Sequence, residues 1–142
     1  MKHLFICFVI SLSFANCNSV KEISQKDVSM NFNGSFRVIK LNNENVIGKG
    51  LTFIIDQKNK RVSGNSGCNT YGTRFELSET NQISFESPYT TKMYCVENEK
   101  NDIEKNYIGM FSEPYLISFK KDQIVLEAVQ DKSISITLVK EE

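Results

Sequence analysis

From residue 32 onward no pattern lasts long: short apolar stretches alternate with clusters of Asn, Asp, Lys, Gly and Ser. Such a rhythm suits an antiparallel sheet, in which each short strand covers a core and a polar turn reverses the chain. Residues 35–41 set Phe36, Val38 and Lys40 against Arg37, Ile39 and Leu41, which predicts a strand covered on one face and partly on the other. Asn42, Asn43, Glu44 and Asn45 then turn the chain. Residues 51–56 form a second strand, and the tip Lys58, Asn59, Lys60 leads back into Arg61, Val62 and Ser63, with which it should pair. Residues 75–77 and 83–85 bracket another turn, and Pro88 ends the second of them. Residues 115–119, 124–128 and the alternating Ile134, Ile136 and Leu138 make a three-strand meander. One helix interrupts the strands: Ile103, Tyr107, Met110 and Phe111 recur at helical spacing behind the polar run 97–105, and Pro114 lies just beyond. The expected fold is mainly β (α+β), a curled antiparallel sheet or partial barrel of about seven to eight strands packed with one α-helix. The absence of any fixed-period repeat excludes solenoids and propellers.

A chain of 142 residues has room for one domain and an N-terminal extra. Lys2 and His3 precede an apolar run from Leu4 to Ala15, the pattern of an export signal over residues 1–16. A membrane-spanning helix needs about 20 apolar residues, and Ser11, Ser13 and Asn16 interrupt this run too soon. Phe14, Ala15, Asn16 and Cys17 resemble the site at which bacterial lipoproteins are cut and acylated. Ala15 suits that pattern, whereas Phe14 and Asn16 depart from the residues usual there. The expectation is acylation of Cys17, with plain secretion and a spare thiol as the alternative. Residues 17–30 then read as a polar, flexible tether and residues 31–142 as the folded domain. The expected location is the cell envelope, lipid-anchored at the outer membrane.

Seventeen basic and seventeen acidic residues balance to a formal net charge of zero, which argues against a nucleic-acid partner. The single histidine, His3, falls in the export signal. Without it the domain has no Ser-His or Cys-His nucleophile pair and no histidine-bearing metal site, so neither a cofactor nor catalysis is expected. Neither a calcium loop nor a phosphate-binding loop is present. Once Cys7 and Cys17 are set aside, Cys68 and Cys95 remain, and an exported pair is normally oxidised. Two separate buried thiols and a redox couple are the alternatives, the latter lacking the usual Cys-x-x-Cys spacing. Glu97, Glu99, Asp102 and Glu104 cluster at the start of the expected helix, where its dipole favours acidic groups. The five tyrosines, Tyr71, Tyr89, Tyr94, Tyr107 and Tyr115, could line a groove or fill a core; Lys92 and Arg74 could meet an anion or simply be solvated.

Residues 64–72 hold three glycines, two asparagines and Cys68 and read as one tight loop. Ser63-Gly64-Asn65-Ser66-Gly67-Cys68-Asn69-Thr70-Tyr71-Gly72, then Thr91-Lys92-Met93-Tyr94-Cys95, then an acidic helix, is an order that resembles the META domain family. Where that family usually carries Gly-x-Trp, this chain has Gly34-Ser35-Phe36 and keeps the aromatic. The resemblance implies strands curled around one helix, an envelope location and an association with heat, antibiotic or other envelope stress, but no reaction. It also implies that Gly64, Gly67, Asn69, Gly72, Thr91 and Met93 are architectural, with Cys68 and Cys95 as a disulfide clamp. The expected function is a non-enzymatic envelope lipoprotein whose partners are the membrane, through its anchor, and an envelope protein or small ligand. The competing readings are a secreted small-ligand or inhibitor domain that uses the 64–72 loop and, third, a thiol enzyme.

Overall fold

The computed structural model describes residues 32–141; the expected export signal, Cys17 and the whole of the expected tether lie outside them. Ten strands form: β1 (Gly34–Leu41), β2 (Glu44–Asn45), β3 (Thr52–Asp56), β4 (Arg61–Asn65), β5 (Thr70–Leu77), β6 (Gln82–Phe85), β7 (Tyr89–Thr90), β8 (Tyr115–Lys120), β9 (Gln123–Ala128) and β10 (Ser135–Lys140). The helix α1 (Asn98–Gly109) runs into a 3-10 turn, Met110–Ser112, and stops ahead of Pro114. No helix among the described residues is long and apolar enough to cross a membrane.

Eight strands close on themselves in the order β1-β3-β4-β5-β6-β8-β9-β10, every pairing antiparallel, with β10 returning to β1. The expected partial barrel is therefore a complete one. β2 and β7 lie off this ring, on β1 and β5 respectively. Closure leaves no open sheet edge within the ring itself.

The closing strand explains one departure from simple alternation. Phe36, Val38 and Leu41 are buried while Lys40 is exposed, because the β1–β10 register shifts between Val38 and Lys40. The extra residue moves Leu41 back to the inner face. Asn42 and Asn43, at φ 49° and 69°, then make the tight turn, both in the left-handed region that Asn tolerates.

An eight-stranded barrel has an interior just wide enough for side chains to fill, and here the helix helps to fill it. Phe111 sits at the hub of an aromatic cluster, with ring centroids 5.0 Å from Phe85, 5.1 Å from Tyr71, 5.4 Å from Tyr107 and 6.3 Å from Phe53. Ile55, Ile83, Leu126, Ile136 and Leu138 complete the packing from the strands. Removing the Phe111 ring should therefore leave a cavity that many neighbours share. Phe111→Ala is expected to lower unfolding free energy by about 3–5 kcal/mol in urea titration, whereas Leu116→Ala, on the outer face, should stay within about 0.5 kcal/mol.

Candidate functional site

The glycine-rich segment is shorter as a loop than its composition suggests. β4 and β5 stay paired through Ser63↔Gly72, Gly64↔Tyr71 and Asn65↔Thr70, so only residues 66–69 leave the ladder. Gly67, at φ 107°, is the one glycine here that needs left-handed backbone. Gly64 and Gly72 are strand residues selected by close approach. A Cβ on Gly64 would strike the Thr52 carbonyl, and one on Gly72 would strike the hydroxyl end of Tyr89. The expectation of glycines serving turns thus holds for Gly67 alone. The Asn69 carbonyl closes the loop by accepting from the Ser66 N–H (2.7 Å) and the Ser66 hydroxyl (2.8 Å).

Asn69, almost wholly buried, joins three segments of chain. Its Oδ1 accepts from the Thr91 hydroxyl at 2.9 Å and from the Met93 N–H at 2.7 Å. Its Nδ2 donates to the Glu104 carboxylate at 3.0 Å, and its own N–H donates to the same group at 3.1 Å. Thr91 Oγ1 in turn accepts from the Thr70 N–H at 3.2 Å. An amide alone presents both acceptor and donor at this reach: aspartate lacks the donor and glutamine is longer. The hub thereby ties the loop, the 91–96 segment and α1 together. Met93 contributes its backbone, since its side chain is 63 % exposed.

Two further ties hold the same end of the barrel. Cys68 and Cys95 are joined by a disulfide, with 6.1 Å between Cα atoms and a sequence separation of 27. Closing a loop of that length contributes about 3.5 kcal/mol in the chain-entropy account. Both sulfurs lie within 4.8 Å of the Glu104 carboxylate, but sulfurs spent on each other offer no thiolate to a metal. Deeper in, the Tyr71 and Tyr107 hydroxyls lie 2.8 Å apart and both reach the Thr52 carbonyl, at 3.0 and 3.2 Å. That carbonyl is free for them because the Asn65 N–H takes Thr52 Oγ1 instead, at 2.8 Å.

The acidic cluster divides by partner. Glu97 pairs with Lys100 at 3.0 Å and Glu99 with Lys49 at 2.5 Å, both at the exposed surface where such pairs contribute little. The Lys49 ammonium holds the Glu99 carboxyl below its usual range. Glu104 alone is built into the hub, a role its sequence neighbourhood did not reveal. Of the tyrosines, Tyr71, Tyr107 and Tyr115 are core, whereas Tyr89 and Tyr94 are exposed; Lys92 and Arg74 are also exposed.

Fold and site together define a small, solid-cored antiparallel barrel with one end clamped by an amide hub and a disulfide. The chain belongs to the META domain family, whose profile matches residues 26–141. Among solved structures it is similar to a protein from Burkholderia xenovorans determined by NMR, at 17 % identity and TM-score 0.62, covering 99 % of this chain and 98 % of that one. It is also similar to a second protein determined by NMR, at 17 % identity and TM-score 0.58 over 75 % of this chain and 87 % of the other. A crystal structure of a DUF4847 family protein from Bacteroides vulgatus ATCC 8482 matches at 9 % identity and TM-score 0.56, covering 80 % and 96 %. At these identities the likeness is one of fold. No curated protein matches the sequence.

Asn69→Ala strips partners from the half-buried Glu104 carboxylate and from the Met93 N–H, and is expected to cost about 2 kcal/mol in urea unfolding. Asn69→Asp should cost more at pH 7, where two carboxylates would face each other. Its deficit should shrink near pH 4, as the pair binds protons in the folded state that the unfolded chain does not hold. Burial pushes the Tyr71, Tyr107 and Tyr115 hydroxyls up from their ordinary value. Their neutral form is favoured by folding, so that stability is intact below about pH 10 and declines as pH rises toward the folded-state values. Phenolate absorbance should therefore show these three tyrosines ionising only together with alkaline unfolding.

Proposed function

We propose that this META-family chain is an exported, lipid-anchored envelope protein without catalytic activity, in which the barrel is a rigid module serving the response to heat, antibiotic or other envelope stress. The observation that carries this reading is the Cys68–Cys95 disulfide, a cross-link that persists in oxidising compartments and is rare where glutathione keeps thiols reduced. The pattern of Lys2, His3, the apolar run and Cys17 agrees with the same route. The chemistry of the clamped end also favours a structural role. The Asn69 and Glu104 groups are engaged with one another, and the buried Tyr71 and Tyr107 hydroxyls are held by the Thr52 carbonyl. The stress association follows from family resemblance. The second reading, a small-ligand or inhibitor domain centred on residues 64–72, is favoured by one observation: an open trough beside that loop, on the outer face of the strands leading into and out of it.

The anchoring proposal is tested by intact-mass measurement of the protein purified from bacterial envelopes. The expected mass is that of a chain beginning at Cys17, carrying acyl groups and lacking two hydrogens for the joined thiols. Cys17→Ser should lose the acyl groups and leave the membrane fraction. An unprocessed chain with free thiols in the cytoplasm would overturn the proposal.

A further inference from the structure

The outer trough has a definite chemistry. It measures about 510 Å³, and its ten lining residues, Ser63, Asn65, Thr70, Tyr89 and Thr90 among them, include no charged side chain. In a chain with 24 % charged residues, an uncharged trough that mixes apolar surface with a few hydroxyls selects against ionic ligands. Arg61, at the rim, is engaged with the trough's own aromatic, its Nη2 donating to the Tyr89 hydroxyl at 2.7 Å.

Tyr89 is the organising element. It is 61 % exposed, yet its hydroxyl end lies over Gly72 so closely that any side chain there would collide with it. Arg61 grips the same hydroxyl. A solvent-facing aromatic ring held in this way is a pre-ordered platform, which lowers the entropy lost on binding. Ile54, 43 % exposed, adds a second apolar surface. Between these lie the hydroxyls of Ser63 and Thr70, neither of which has a hydrogen-bond partner among the described residues. The Asn65 amide is oriented by the Gly67 N–H on its Oδ1, at 2.7 Å, which leaves Nδ2 free to donate.

We infer that this trough binds a neutral saccharide, with Tyr89 stacking on the C–H face of a sugar ring and Ser63, Asn65 and Thr70 meeting its hydroxyl or acetamido groups. Alternating C–H faces and hydroxyls are what such a surface complements. An extended peptide would need a sheet edge; residues 61–63 of β4 and residues 71–72 of β5 are already paired on both sides, with β3 and β5 and with β4 and β7, which leaves such a peptide only the two-residue outer edge of β7. The inference rests on the small-ligand reading and gives its ligand class.

The test is an amide NMR titration of the oxidised domain, residues 31–142, with N-acetylglucosamine trisaccharide, maltotriose and cellotriose, each to about 20 mM, because an open trough implies dissociation constants on the order of 1 mM. At least one saccharide is expected to shift the amides of Ser63, Gly64, Asn65, Thr70, Tyr89 and Thr90. Tyr89→Ala, with its fold checked by an unchanged spectrum away from the trough, should weaken binding about tenfold, whereas Tyr89→Phe keeps the ring and should lose less. No shift with any of the three, or equal binding by Tyr89→Ala, would overturn the inference. Parallel titrations with inorganic phosphate and with an uncharged tetrapeptide separate the two layers: trough shifts from either, without any from the sugars, would reject the saccharide while keeping a ligand site.

Discussion

Eight antiparallel strands closed into a ring leave an interior that must be filled. In this protein side chains fill it completely enough that Phe32, Phe53, Ile83, Tyr107, Tyr115, Leu126, Ile136 and Leu138 have essentially no exposure. The filling is shared between strands and helix, with Phe111 inserted among the rings of Phe53, Tyr71, Phe85 and Tyr107. A barrel of this size cannot be both solid and hollow. Whatever the protein recognises is therefore met at its ends or on its outer wall.

The helix must be held for its rings to stay in place, and the Asn69 hub does this from outside the core. Loop, 91–96 segment and helix meet at one amide, and the disulfide spans the same junction. The two devices differ in kind. Hydrogen bonds fix relative geometry, while the cross-link limits how far loop and segment separate in the unfolded chain. The same junction sets the outer wall, because Thr91 and β7 are fastened to β5 there and carry Tyr89 over Gly72.

Much of this was legible from residue order. Hairpins with polar tips, the three-strand meander and the helix built on Ile103, Tyr107, Met110 and Phe111 all follow local patterning, and the structure places them accordingly. Local patterning misjudged two stretches. Alternation alone set Leu41 opposite Phe36, and a bulge in the pairing with β10 reverses that. Glycine density made one tight loop of all of residues 64–72, whereas Gly64 and Gly72 are strand residues crowded by Thr52 and Tyr89.

The amino-acid order determined the strand-rich class, the helix at residues 98–109, the available cysteine pair and the lack of histidine in the domain, because each depends on neighbours within one turn or on composition. Closure of the ring, the selection of Glu104 from four nearby acids, the use of the Met93 backbone in place of its side chain and the trough beside Tyr89 were decided by tertiary structure. Each joins residues more than ten positions apart. Their meeting depends on strand register and on how deeply the helix seats, which are set by the packing of the whole core.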